Sequence, residues 1–136
     1  MKTKLKPKTF GPVFAFFYPS NEVQYAITET SERTPHAPPG SPVEMLLASL
    51  AFCMVKSVEW AAKDQGERLL PFSVKVAGTK ALDLPWRVEV MEVTLFGGLV
   101  EDATATPQIA KLAKSICTVS NTLNCEISLT LEPKDG

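Results

Sequence analysis

The chain has 136 residues, of which 45% are hydrophobic and 21% charged, and its formal net charge at pH 7 is -1. This length fits one domain spanning residues 1–136, and the composition is typical of a folded globular protein and not of a disordered chain. Because 14 Lys and Arg residues face 15 Asp and Glu residues, the chain has no basic excess to neutralise phosphates, and we expect no nucleic-acid partner.

The amino-terminal region predicts a β-hairpin. The basic start, residues 1–4, is followed by further proline and lysine and by no cleavage site, so we expect no secretory signal and a cytoplasmic protein. Two aromatic-rich apolar segments, residues 13–18 and 23–28, flank the turn-forming triplet Pro19-Ser20-Asn21. Strong β-propensity on both sides of such a triplet predicts two paired strands.

The next segment, residues 31–40, predicts an irregular loop because it contains three prolines and a glycine. Two of its side chains, Arg33 and His36, are candidates for chemistry. His36 can act as a base or as a thiolate partner. Each residue is equally compatible with an ordinary solvated loop position.

A long helix is predicted to begin after Ser41 and to stop at Gly66. Ser41 and Glu44 have the spacing of a capping box, and Pro42 occupies the first helical position. Charges interrupt the apolar window 43–58, which is shorter than the roughly 20 apolar residues that span a bilayer, so we expect no membrane span. Since apolar side chains cover most of the helix circumference, we infer a dimer with this helix at the interface.

The second half of the chain predicts two strands, a helix and a last strand. Residues 72–76 alternate in polarity, and the apolar phase of residues 86–96 slips near Met91, which predicts a bulge. A second, shorter helix covers residues 106–117, and residues 125–132 alternate again. This order of elements predicts an α+β fold with a predominantly antiparallel sheet and helices on one side.

The chain has three cysteines, Cys53, Cys117 and Cys125, with no C-x-x-C pair and one histidine. This pattern disfavours a disulfide scaffold and a zinc site, and we expect no metal and no other cofactor. By spacing, all three fit small apolar core residues. A thiol within an apolar helix face, or at a helix C-terminus, favours its protonated form, so Cys53 needs a nearby positive charge to become a thiolate.

Two segments around these cysteines resemble the OsmC/Ohr family of osmotically induced and organic hydroperoxide resistance proteins. Residues 40–53 read GSPVEMLLASLAFC and resemble the family segment G-x-x-P-x-E-L-L-L-A-A-L-x-x-C. Residues 117–123 read CTVSNTL and resemble C-P-V-S-x-x-L, with Thr118 in place of the proline. The two cysteines are 64 positions apart in the expected order. The resemblance implies an OsmC-like fold and an intertwined homodimer with two long central helices.

The resemblance also implies a thiol peroxidase. Cys53 would attack a hydroperoxide as a thiolate and become a sulfenic acid, which Cys117 would resolve as a disulfide. An external dithiol such as a lipoyl protein or thioredoxin, or a small thiol, would reduce that disulfide. Apolar neighbours of Cys53 favour a fatty or aromatic hydroperoxide over a small one.

Two positions depart from the family pattern. In the active peroxidases a glutamate directly after the motif proline pairs with an arginine that activates the cysteine, whereas here Val43 holds that place and Glu44 follows. Nine residues at about 100° each put Glu44 half a turn from Cys53, and its capping role explains it. Glu44 and Arg33 complete the candidate site, with Arg33 as the activating cation.

Two further hypotheses stay open. The chain can be a non-catalytic relative that binds a small apolar ligand or acts as a thiol-redox partner, as the missing carboxylate suggests. It can also be a structural dimer whose thiols are inert. A Cys53 thiol whose pKa is at or above the ordinary value for cysteine would favour the non-catalytic relative over a peroxidase. Failure to form a Cys53–Cys117 disulfide under mild oxidation would identify the structural dimer.

Overall fold

Five strands and three helices make up the part of the chain described by the computed structural model, which covers residues 8–18, 23–28, 32–35 and 41–133. In chain order the elements are β1 (Thr9–Phe17), β2 (Gln24–Ala26), α1 (Pro42–Asp64), β3 (Phe72–Lys80), β4 (Val88–Phe96), α2 (Thr106–Ile116), α3 (Thr118–Thr122) and β5 (Glu126–Glu132). The strands form one sheet in the order β2-β1-β3-β4-β5, in which β4 and β5 are parallel and the other neighbours antiparallel. The predicted α+β fold is confirmed.

The predicted amino-terminal hairpin forms, with Phe14 of β1 opposite Ala26 of β2. Its turn triplet, residues 19–21, lies outside the described residues. Part of the predicted loop adds to the sheet edge, because Tyr25 and Thr34 exchange two backbone hydrogen bonds of 2.7 and 2.9 Å. Thr34 is therefore paired with β2 at the edge of the sheet.

Side chains of β1 alternate between the two faces of the sheet, as the period of two requires. Val13, Ala15 and Phe17 belong to the main core, which they share with α1, α2 and β3. Phe14 and Phe16 form a smaller apolar cluster on the opposite face. The face on which a residue lies therefore decides whether it can approach α1.

The beginning of α1 is held by the predicted capping box. The Ser41 hydroxyl accepts a hydrogen bond from the Glu44 backbone N–H at 3.2 Å. The Glu44 carboxylate accepts one from the Ser41 backbone N–H at 3.1 Å and another from that of Gly11 at 3.4 Å. At the other end Gly66 adopts a φ of 68°, the left-handed conformation that commonly follows a helix. The predicted bounds of the long helix are confirmed.

By length and composition alone α1 could cross a membrane, since an 18-residue window of it has a mean hydropathy of 1.5. In this fold 56% of that window is buried inside the domain. The buried residues face the sheet and α2 and include Leu47, Leu50, Met54 and Val58. A core helix of this kind passes the same test, so the test does not identify a membrane span.

Three details of the second half differ from the sequence expectations: the end of β3, the start of β4 and the presence of α3. The bulge predicted near Met91 is present. β3 continues to Lys80, and β4 begins at Val88 instead of residue 86. The bulge lies two residues before Met91, because Thr79 faces Val90 while Lys80 faces Val88 and the intervening residue is extra. The short helix α3 was not predicted, since its sequence, TVSNT, is rich in residues of low helix propensity.

Replacing Ser41 by Ala should lower the free energy of unfolding by about 1 kcal/mol, because it removes the side-chain acceptor at the start of α1. Chemical denaturation at neutral pH measures this change. Ser49→Ala is the matched control, since Ser49 is exposed in the body of the same helix. An equal loss in both variants would contradict the capping role.

Candidate functional site

The packing of α1 against α2 and α3 brings Cys53 and Cys117 together. Cys117 ends α2 and begins α3, so the chain turns at this residue. Its thiol lies beside the Cys53 thiol and close to the Ser57 side chain and the Ser120 backbone N–H. The structure thus places side by side the two sulfur atoms that the sequence motifs singled out.

The two thiols differ in their surroundings. Cys117 is fully buried, with 0% of its surface exposed, whereas Cys53 is partly exposed. Burial raises the pKa of the Cys117 thiol, the backbone N–H of Ser120 opposes this by lowering it, and the adjacent Cys53 sulfur raises it further. At neutral pH Cys117 is therefore a protonated thiol that can donate a hydrogen bond to Cys53.

Cys53 opens onto a surface cavity of about 310 Å³. The cavity is lined by Cys53, Lys56, Ser57, Trp60, Ile116 and Thr118. It contains the position at which Thr118 replaces the motif proline. The Ser57 hydroxyl is turned inward and donates to the Cys53 carbonyl at 2.8 Å, which helps to fix the helix turn that carries the thiol. A small molecule in this cavity would meet Cys53 before it meets Cys117.

The structure does not bring Arg33 to Cys53 within one chain. The Arg33 guanidinium carbon lies 3.7 Å from the centroid of the Phe16 ring, and the side chain also donates a hydrogen bond to the Tyr18 hydroxyl. Because Phe16 is on the sheet face opposite α1, the sheet separates the guanidinium from the thiol. Stacking of a cation on aromatic rings explains this position without any role in thiol chemistry.

Glu44 is likewise remote from the two sulfur atoms. Nine residues of helix separate it from Cys53, which amounts to about 14 Å along the axis. Its carboxylate is engaged at the start of α1, and the hydrogen bond from the Ser41 backbone, followed by that from Gly11, lowers its pKa. The geometry assigns Glu44 to capping, as its spacing from Ser41 suggested.

Two other candidates have separate outcomes. His36 lies outside the described residues, so its role stays a prediction. Cys125 is partly buried and packs against the main core, and burial raises the pKa of its thiol. Its predicted role as a core residue agrees with this position.

Sequence reasoning missed Lys56 as a member of the site. It lies three residues after Cys53 on α1 and lines the same cavity. The available signal was the helical spacing, since residues three apart share a helix face. The family pattern assigns the activating charge to an arginine, and it contains no lysine at the position of Lys56.

Residues 36–132 match the family described as OsmC-like protein. The chain belongs to the OsmC-like family. This confirms the resemblance based on the two cysteine segments. No curated protein matches this OsmC-like chain significantly.

Solved structures of OsmC-like and related proteins share the fold. An OsmC-like hydroperoxide resistance protein from Jannaschia is 19% identical with a TM-score of 0.57, and the match covers 82% of this chain and 85% of that one. An organic hydroperoxide resistance protein OsmC from Legionella pneumophila is 13% identical with a TM-score of 0.57, covering 96% and 99%. A hypothetical protein from Aquifex aeolicus is 18% identical with a TM-score of 0.58, covering 92% and 96%. At these identities the likeness shows the fold.

Glu44→Gln should reduce the loss of stability in acid and leave the reactivity of Cys53 unchanged. A carboxyl whose pKa is lower in the folded protein contributes stability above its unfolded value, 4.5, and this contribution disappears as pH falls through the folded value. Hydrogen bonds from Thr104 also lower the pKa of Asp102, so the wild type loses stability through both groups and the variant through one. Urea denaturation as a function of pH, with Cys53 alkylation in parallel, tests this. A lower rate of Cys53 alkylation in Glu44→Gln would show that Glu44 takes part in activating the thiol.

Proposed function

We propose that this OsmC-like protein is a thiol-dependent peroxidase that reduces organic hydroperoxides or hydrogen peroxide. The proposal depends on one observation, the pairing of a partly exposed Cys53 thiol, which lines an open cavity, with a buried Cys117 thiol. Hydroperoxide resistance proteins from Jannaschia and Legionella pneumophila have the same fold, which supports this reading.

In the first step the Cys53 thiolate attacks the distal oxygen of the hydroperoxide. A sulfur–oxygen bond forms, the oxygen–oxygen bond breaks, and the alkoxide leaves and takes a proton to become an alcohol. Cys53 is oxidised to a sulfenic acid while the peroxide is reduced. The partial exposure of Cys53 favours it over Cys117 as the attacking residue.

In the second step Cys117 attacks the Cys53 sulfur. A disulfide forms, the sulfur–oxygen bond breaks, and the hydroxyl leaves as water with the proton of the Cys117 thiol. Burial keeps Cys117 protonated until this step, because it raises the pKa of that thiol. A buried resolving thiol also gives peroxide in the cavity no direct path to overoxidise it.

An external reductant completes the cycle. The class we propose is a dithiol, such as a lipoyl protein or thioredoxin, or a small thiol, whose thiolate attacks the exposed Cys53 side of the disulfide and releases Cys117. A cytoplasmic location, where such dithiols and small thiols keep protein cysteines reduced, is part of the proposal.

The cavity favours an organic substrate over hydrogen peroxide. Its volume of about 310 Å³ is at the lower end of the range for small-molecule sites. Trp60 and Ile116 supply apolar walls beside Cys53. We propose that these walls bind the hydrocarbon part of a fatty or aromatic hydroperoxide and leave the peroxide group at the sulfur.

Cys53→Ser should reduce hydroperoxide consumption to the background rate, because serine cannot accept the oxygen. Cys117→Ser should complete one turnover and accumulate a Cys53 sulfenic acid, which a cyclic diketone traps and mass spectrometry detects. Cys125→Ser is the control and should retain wild-type activity, since Cys125 packs against the core. Equal rates for wild type and Cys53→Ser, with an organic hydroperoxide and excess dithiol, would contradict the peroxidase.

A second candidate is a thiol-redox partner without peroxidase activity. The position of Arg33 favours it, because the one arginine proposed to activate the thiol lies across the sheet from Cys53. Such a protein would form the Cys53–Cys117 disulfide by exchange with an oxidised dithiol and would not consume hydroperoxide. An inert structural dimer is disfavoured by the partial exposure of Cys53.

The homodimer is a proposal based on the exposed face of α1. Met45 and Leu46 leave 59% and 36% of their surfaces exposed. They lie in the first two turns of α1, about two turns before Cys53, so a partner that covers them leaves the cavity beside Cys53 open. A second copy of this helix would cover such a face, in agreement with the arrangement that the family resemblance implies.

Met45→Lys should shift the protein from dimer to monomer, because it places a charge within an apolar contact. Light scattering coupled to size exclusion measures the mass. Leu84→Lys is the matched control, since Leu84 is more exposed, at 76%, but lies in the loop between β3 and β4. A monomeric wild-type protein would overturn the proposal.

A further inference from the structure

We propose that Lys56, held in place by Glu59, is the positive charge that activates Cys53 in this chain. The inference deepens the proposed function and rests on it for its catalytic meaning. It gives Lys56 the role that the family pattern assigns to an arginine, with Glu59 as its ion-pair partner on the same helix.

Lys56 and Cys53 lie three residues apart on α1, so they are neighbours on one helix face. Both line the cavity of about 310 Å³. Long side chains on a helix lean towards its N-terminus, which directs Lys56 over the turn that contains Cys53. The ammonium nitrogen lies 5.9 Å from the centroid of the Phe52 ring, which is in that turn.

Glu59 restrains this lysine from the following turn. Its carboxylate oxygen is 3.3 Å from the Lys56 ammonium nitrogen, with 41% and 58% of the two side chains exposed. An exposed pair of this kind adds little stability, so its effect is to limit where the ammonium can go. Glu59 is six residues from Cys53 and Lys56 only three, so Lys56 is the nearer of the two charged residues along the helix.

Other charged groups do not compete for this role. Lys56 is the charged residue among those that line the cavity. Arg33 lies across the sheet, and Glu44 is bonded to the backbone at the start of α1. From α2 and α3 the titratable group that faces Cys53 is Cys117, which burial keeps neutral.

The same ammonium suits the chemistry of the first step. It stabilises the attacking thiolate before the reaction and the alkoxide as it leaves, since negative charge moves from sulfur to oxygen within the cavity. Lys56 also lines an adjoining cavity of about 280 Å³ with Tyr25 and Phe52. A hydroperoxide with an apolar chain lying across Phe52 would therefore have its polar end beside Lys56 and Cys53.

The test measures the pH dependence of Cys53 alkylation by iodoacetamide, with mass spectrometry to distinguish the three cysteines. Lys56→Met keeps the length of the side chain and removes its charge. We expect its Cys53 to react several-fold to about tenfold more slowly at neutral pH, with the midpoint of the profile moved to higher pH. Lys56→Arg should restore both. Glu59→Gln should have a smaller effect of the same sign, as expected of a positioning residue.

Lys63→Met is the matched control, because Lys63 is exposed in the last turn of the same helix. A Lys56→Met profile equal to that of Lys63→Met and wild type would overturn the inference, even where peroxidase activity is present. A shifted profile in a protein that consumes no hydroperoxide would uphold thiol activation and reject the peroxidase. Circular dichroism of each variant confirms that the fold is intact.

Discussion

The burial of α1 is the constraint on which the candidate site depends. Leu47, Leu50 and Met54 are fully buried between the sheet and α2, so the helix cannot rotate about its axis without exposing them. The capping box at Ser41 fixes the point at which the helix begins, and hence the angle of every later residue. Cys53 therefore lies at the border of the buried face, where it is close to α2 and still open to the cavity.

The same packing accounts for the contrast between the two sulfur atoms. Cys117 lies where the chain passes from α2 to α3 behind α1, so the hydrocarbon that stabilises the fold also removes water from this thiol. Cys53 directly precedes the fully buried Met54 on α1 but stays in contact with solvent. Two chemically identical groups thus differ in their access to solvent through their positions relative to one helix, and burial raises the pKa of the Cys117 thiol.

Most of the fold could be predicted from local signals, because they agree with one another. The capping box, the alternation of β3 and the hairpin residues on either side of residues 19–21 each specify an element without reference to distant contacts. The exceptions depend on tertiary packing. α3 has a sequence of weak helix propensity and forms where Cys117 is anchored in the core, and the bulge in β4 is set by its pairing with Lys80 of β3.

The site was predictable to a smaller extent, for a physical reason. Spacing along a helix reveals which residues share its face, and this is enough to find Cys53 and, in retrospect, Lys56. It cannot reveal on which side of a sheet a loop side chain will lie, and Arg33 is separated from the thiol by the strand that carries Phe16. The activating role that we propose for Lys56 depends less on loop conformation than that of an arginine from a distant segment, because Lys56 and Cys53 are on the same helix. It would also account for a site in which Val43 and not glutamate follows the motif proline.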